Sequence, residues 1–190
     1  MREDVKKGYE EADYEGLYRE DREVRYEEED LFQKLFENLD DSAEILDLGC
    51  GTGLPFDRYL IDNGYDLIGA DIAEKHVEKA RENIPKAEIV QGDFFEVDID
   101  NESLEAIVSF YAIFHIPREE HRELFEQIND WLKHDGYILV TIASTEMENS
   151  KKSWNGAEIQ WSSYEGTRRL ERRGPYAGAC QKTVILKASL

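Results

Sequence analysis

Three carboxylates and a run of alternating glycines carry the chemistry of this chain. Asp47-Leu48-Gly49-Cys50-Gly51-Thr52-Gly53 sets an acid two residues before the first of three glycines. Glycines at this spacing let backbone N–H groups approach a ligand where side chains would intrude. A helix beginning near Pro55 would turn its positive end the same way. A second acid, Asp71, ends the run Gly69-Ala70-Asp71-Ile72, and a third, Asp93, sits in Gln91-Gly92-Asp93-Phe94-Phe95. A carboxylate has two acceptor oxygens and suits an amine, an ammonium group or a vicinal diol. It repels phosphate. Counted from Gly49 or Gly51, the last glycine falls one place off the dinucleotide spacing G-x-G-x-x-G, and no G-K-[ST] follows. The plainer readings are a tight turn for the glycines, a helix cap for Asp71 and an ordinary turn for Asp93.

His115, in Ser109-Phe110-Tyr111-Ala112-Ile113-Phe114-His115-Ile116-Pro117, is the base candidate. An imidazole there can take a proton from an oxygen or nitrogen nucleophile, or bond to backbone and hold the loop. His76, His121 and His134 fall on helical patterns and read as solvated. Trp154 to Tyr164 is unusually aromatic for a polar connection, which suits a pocket wall or a satellite cluster under a long loop. No His/Cys/carboxylate group has metal-ligand spacing, and no G-x-S-x-G elbow is present.

The elements that must position these residues alternate. Short apolar runs at 44–48, 66–70, 87–91, 104–110 and 137–143 read as strands. Helical patterns fall near 55–63, 73–83 and 118–133, the last with Pro117 and Glu119-Glu120 at its start and Gly136 after it. Residues 27–38 predict an amphipathic helix, and 9–30 read as an exposed helical lead-in. Apolar strands separated by helices predict an α/β fold, a doubly wound, mostly parallel sheet with helices on both faces. Ligands in such sheets bind at the carboxyl ends of the strands, where the glycines and Asp71 lie.

On these motifs, D-x-G-x-G-x-G first, the chain resembles the class I S-adenosylmethionine-dependent methyltransferases of the small-molecule kind, over roughly residues 9–145. The resemblance implies S-adenosyl-L-methionine as cofactor and S-adenosyl-L-homocysteine as product. It implies a cofactor site of Tyr14, Asp47, Gly49, Cys50, Gly51, Gly53, Asp71, Ile72, Asp93, Phe94 and Phe110. Within it Asp47 or nearby backbone would hold the methionine end, Asp71 the ribose and Asp93 the adenine amine. His115 would be catalytic, and Tyr111, Trp154, Trp161 and Tyr164 would face a small-molecule acceptor. It also implies one domain, 1–190: a helical lid over 1–40, a cofactor-binding core over 41–145, and a substrate segment with an atypical tail over 146–190. Tyr9, Tyr14 and Tyr18 lie in a segment that resembles the family's lid, where Y-E-E-A-D-Y is one residue shorter than the usual spacing and Tyr14 is the choice. The tail departs further, with room for a short helix at Arg168–Arg173 and one strand at Lys182–Lys187, so the last two strands are shortened. Three rival readings are a cofactor-binding module that has lost its acceptor site, a nicotinamide-dependent oxidoreductase, and an aminopropyl transferase. The glycine spacing disfavours the second, and the third lacks a further acidic motif.

Composition bounds the rest. The 190 residues carry a formal net charge of −20. Residues 167–190 hold six basic residues against one acid, so the first 166 carry −25. Without a basic stripe, a nucleic-acid partner is not expected. No apolar stretch has the length of a membrane span and Met1-Arg2-Glu3-Asp4 has no signal-peptide core. Two cysteines, Cys50 and Cys180, are too few for a disulfide framework, which makes the cytoplasm the expected compartment. The acceptor and the oligomeric state have no signature.

Overall fold

The computed structural model describes residues 2–11, 23–143, 147–154, 157–163 and 181–187. Two helices, α1 (Arg2–Glu11) and α2 (Tyr26–Phe36), precede the alternation β1 (Glu44–Leu48), α3 (Phe56–Asp62), β2 (Asp66–Asp71), α4 (Glu74–Asn83), β3 (Glu88–Gln91) and β4 (Leu104–Ser109). Then follow α5 (His121–Trp131), β5 (Leu132–Ala143), β6 (Met147–Trp154), β7 (Ala157–Ser163) and β8 (Gln181–Lys187).

The apolar runs become strands because both of their faces are covered. Successive side chains on a strand point to opposite faces, and the core divides by that parity. Ile45, Ala106, Val108 and Leu139 pack with Phe32 and Leu35 of α2, Phe56 and Leu60 of α3, and Val77 and Ala80 of α4. Leu46, Leu48, Ile107, Ile138 and Val140 pack on the other face with Leu124, Ile128 and Trp131 of α5. Burying each such Leu, Ile or Phe contributes about 1.5–3 kcal/mol, so neither face tolerates a one-residue slip of β1 or β4.

The sheet order is β3-β2-β1-β4-β5-β8. The first five strands are parallel, and β8 is antiparallel to β5 from Tyr137↔Lys187 to Ala143↔Gln181. This is the expected doubly wound sheet, and its strand order reverses between β1 and β4. The KTVILK run is the expected final strand. The aromatic connection after β5 is not a loop: β6 and β7 pair antiparallel as a separate two-stranded sheet. The candidate helix 168–173 lies outside the described residues.

Three expectations are corrected. Residues 118–120 form a 3₁₀ turn and α5 runs only over 121–131, so Glu119 and Glu120 precede the α-helix. Gly136 does not end that helix; it lies within β5, beside a register shift where Leu104 pairs with Leu132 and Ala106 with Tyr137. The lead-in is not simply exposed. In α1, Val5 and Gly8 are buried, while residues 23–25 are not helical. Among the described residues no helix is long and apolar enough to cross a membrane.

Candidate functional site

At the point where the strand order reverses, the carboxyl ends of β1, β2 and β4 border a cleft of about 890 Å³, part of it open to solvent. β1 and the turn after it contribute Asp47, Gly49, Cys50 and Gly51, and β2 contributes Asp71 and then Ile72. Asp93 and Phe94 come from the turn after β3, and Phe110, Tyr111 and His115 from the segment after β4. These eleven expected residues therefore share one cleft. The twelfth, Gly53, does not line it. At φ +76°, Gly53 leaves space for Ile84, whose Cδ1 would lie 2.7 Å from an added Cβ. Tyr14 and Tyr164 lie outside the described residues. Trp154 ends β6 and Trp161 lies in β7, with side chains that also fall outside them.

Gly49 is the floor. Its φ is +89°, and a Cβ there would stand 2.3 Å from the Cβ of Ala112 and 3.4 Å from Cζ of Phe94. Phe110 stacks on Phe56 at 4.2 Å between ring centroids and tilts against Phe32 at 5.2 Å. Tyr111 holds φ +60°, a rare conformation for a bulky residue. Its hydroxyl donates to buried Glu28 of α2 at 3.3 Å.

The acids differ in how much of their acceptor capacity is spent. Asp71 Oδ2 accepts the Gly51 N–H at 3.0 Å, and Oδ1 accepts the Ala73 N–H at 2.9 Å and faces His76 Nδ1 at 3.2 Å. Asp71 thus ties the turn before α4, but it is not the helix cap: Ala73 holds that position without a side-chain cap, and acceptor capacity is left on Asp71 Oδ2. Asp93 Oδ1 takes the Phe95 N–H at 3.0 Å, the ordinary turn bond. Its Oδ2 lies 2.8 Å from Arg2 Nε, an ion pair without hydrogen-bond alignment. Asp47 is 3% exposed, and its Oδ1 accepts no hydrogen bond from a described group other than Asp57. Burial pushes the Asp47 carboxyl well up, with Asp57 and Asp71 adding to it. Burial likewise raises the Cys50 thiol, helped by the three aspartates, so Cys50 is a filler and no thiolate nucleophile.

Sequence reasoning missed Arg2, Val5 and His76, and took Tyr14 in preference to Tyr9 as the lid aromatic. Arg2, Val5 and Tyr9 of α1 line the cleft, and Arg2 also pairs with Glu120 and lies 4.8 Å over the Phe95 ring. Tyr9 hydroxyl meets His115 Nε2 at 2.8 Å. The signal was available: Val5, Gly8 and Tyr9 form one stripe at helical spacing. His76 is 3% exposed, lines the cleft and packs edge-on to Tyr9. That corrects its reading as solvated. His121 is also half-buried, bonded to the Ile116 carbonyl at 3.2 Å, whereas His134 is exposed. His115 sits in a 3₁₀ turn over Ile113–His115 with its N–H on the Ala112 carbonyl. Behind the aromatic segment, buried Ser162 of β7 accepts the Arg118 N–H at 3.1 Å, which ties the hairpin to the far rim. Among the described residues no group of His, Cys, Asp and Glu could hold a metal ion.

Chemically, the cleft offers an apolar floor, the buried Asp47 carboxyl at one end, carboxylates with spare acceptors toward the middle and the other end, and an imidazole above. Residues 45–136 match the methyltransferase domain family. The chain is similar to an uncharacterised methyltransferase of Geobacillus sp., 31% identical over 126 residues, covering 66% of this chain and 58% of that one. It is also similar to 24-methylenesterol C-methyltransferase 2 of Arabidopsis thaliana, 28% identical over 116 residues, 57% of this chain and 32% of that one. A solved SAM-dependent methyltransferase of Methanosarcina mazei shares the fold at TM-score 0.67 and 15% identity, covering 83% of this chain and 97% of that one. The chain spans about three fifths of the length of the first curated relatives it matches.

Proposed function

Since this chain carries a class I, Rossmann-like methyltransferase domain, we propose that it transfers the methyl group of S-adenosyl-L-methionine to a small-molecule acceptor. The observation that supports this reading best is the order of acceptors along the cleft. Asp47, Asp71 and Asp93 come from three successive strand ends around a floor that excludes a side chain at Gly49. An amino-acid-bearing nucleoside presents an ammonium, a diol and an exocyclic amine, three donor groups for three acids. The buried Asp47 carboxyl, which lines the cleft, is the group that such an ammonium would satisfy.

The donor's sulfonium brings a methyl group already activated toward displacement. The protein's part is then alignment and exclusion of water. Asp47 would hold the ammonium, Asp71 the ribose through the capacity left on Oδ2, and Asp93 the amine. Phe94 and Phe110 would wall the site, and α1 would close it through Tyr9 and Arg2. Tyr111, fixed to Glu28, would border the acceptor, and His115 would receive the acceptor's proton. The sterol methyltransferase among the relatives is consistent with a small, largely apolar acceptor. A second reading, a binding module without transfer, is favoured by one observation. His115 Nε2 already engages Tyr9, so the histidine would serve to anchor α1.

Mass spectrometry of the protein purified under native conditions tests the first claim, with S-adenosyl-L-methionine or S-adenosyl-L-homocysteine expected in the bound fraction. Titration calorimetry with both checks it, and no binding of either refutes it. Transfer of labelled methyl to small-molecule acceptors, lost in His115→Gln but with donor affinity retained, separates enzyme from module.

A further inference from the structure

We propose that Asp57 is a positioning residue that shares a proton with Asp47, and that seating an ammonium group against Asp47 expels one proton to solvent. The proposal rests on the reading of the cleft as a site for an amino-acid-bearing nucleoside. Asp57 stands in the first turn of α3, directly behind Asp47, and is 1% exposed. Neither of its oxygens, nor Asp47 Oδ1, accepts a hydrogen bond from a described group outside the pair. The two carboxyls lie within hydrogen-bond reach of each other. Two carboxylates buried in contact do not both ionise without a cation, so at least one proton stays between them. The groups facing the pair supply none. Asp71 of β2 adds negative charge, and the Cys50 thiol is held neutral. His76 of α4 lies beyond, on the far oxygen of Asp71.

Burial, with the Asp71 charge, pushes the Asp57 carboxyl up to about 7 against the hydrogen bond from Asp47. Asp47 is raised as well. Below neutrality the pair therefore holds its proton, and Asp47 alone of the two opens on the cleft. An ammonium arriving there brings the missing positive charge. It keeps its own three protons, one proton leaves the pair, and charge balances. Recognition of the amino-acid end thereby becomes pH-dependent, whereas recognition of the nucleoside does not.

The test is titration calorimetry at about pH 6 in buffers of different ionisation enthalpy, which counts protons released on binding. The probes are S-adenosyl-L-homocysteine, which carries the ammonium, and 5′-methylthioadenosine, which lacks it. The wild-type chain is expected to release up to about one proton with the first and none with the second. Its affinity for the first should tighten by up to about tenfold per pH unit as pH rises toward 7. In Asp57→Asn the amide donates an N–H to Asp47 and leaves it ionised, so release and pH dependence should both vanish. The 5′-methylthioadenosine arm and the Asp57→Asn arm subtract proton exchange by any other group of the cleft. Binding without proton release in the wild type, or equal release from Asp57→Asn, overturns the proposal and leaves the cleft assignment intact. Failure of S-adenosyl-L-homocysteine to bind removes both. The wild-type count needs no variant, so it decides the matter even where Asp57→Asn does not fold.

Discussion

Replacing Gly49 with alanine separates two costs that the cleft floor imposes, because the chain supplies its own control. Gly49 and Gly64 both hold a left-handed backbone, at φ +89° and +96°. An L-residue forced there costs about 1–2 kcal/mol. Around Gly64 nothing lies within 4 Å of an added Cβ, so Gly64→Ala should show that strain alone. At Gly49 the Cβ would meet Ala112 Cβ at 2.3 Å, and ordinary contact begins near 3.4 Å. Relief needs a movement of about 1 Å by an atom fixed to the backbone, which cannot rotate aside; such overpacking adds about 1–3 kcal/mol. Gly49→Ala should therefore lose about 2–5 kcal/mol, a large share of the roughly 5–15 kcal/mol that stabilises a domain. Urea unfolding of both variants and the wild type, with the slopes compared as well as the midpoints, measures the difference. Ala112 is flanked by Tyr111 and by the turn carrying His115, so binding of S-adenosyl-L-homocysteine should also weaken by at least about tenfold, as misplaced contacts imply. If Gly49→Ala is no less stable than Gly64→Ala, Ala112 does not close the floor and the steric argument is wrong.

Further outcomes follow from other contacts. Asp71→Ala strands the Gly51 and Ala73 N–H groups, costing about 2–4 kcal/mol of stability, and should weaken donor binding ten- to hundredfold, about 1.5–3 kcal/mol; unchanged affinity by calorimetry excludes it as the ribose ligand. Tyr9→Phe removes the hydroxyl that meets His115. It should cost about 0.5–1.5 kcal/mol and speed amide exchange in α1, with β1 and β4 unaffected. The raised Asp57 carboxyl makes a signed claim about stability. Its folded value of about 7 lies above the unfolded value of about 4, so between those limits the folded chain binds the extra proton. Stability then falls as pH rises from about 4 to 7, by on the order of 2–4 kcal/mol, and levels off above. Asp57→Asn should flatten that slope in thermal or urea unfolding.

Much of this arrangement could be read without coordinates, for physical reasons that also mark where reading stops. Strands such as 44–48 were legible because burial on both faces demands an unbroken apolar run, and Asp71 and Asp93 because each directly follows one. The residues that escaped owe their place to tertiary contact. Asp57 sits in a first helical turn, where an aspartate is ordinarily solvated; only the packing of α3 behind β1 makes it 1% exposed. His76 looked like a polar helix residue because nothing local shows that α1 lies over it. Arg2 and Val5 are far from the glycines in sequence and reach the cleft only when α1 docks. Gly53 had the right spacing and the wrong neighbour, since Ile84 packs where a ligand was expected. The start of α5 was misjudged because Pro117 suits a 3₁₀ turn as well as an α-helix.

The antiparallel β8 has a consequence far from the cleft. It covers the outer side of β5 from Tyr137 to Ala143, a segment rich in β-branched and aromatic residues that would otherwise offer a row of open N–H and C=O groups. Such an edge is a template for other chains, and Y-I-L-V-T-I-A has the uncharged, strand-forming composition of an aggregating stretch. A chain cut before Gln181 would keep every cleft wall contributed by β1, β2 and β4. It would also expose a sticky border, so its first defect should be precipitation with its ligand site still formed. With β8 in place the sheet ends on a strand flanked by Lys182 and Lys187, and such charges blunt an edge.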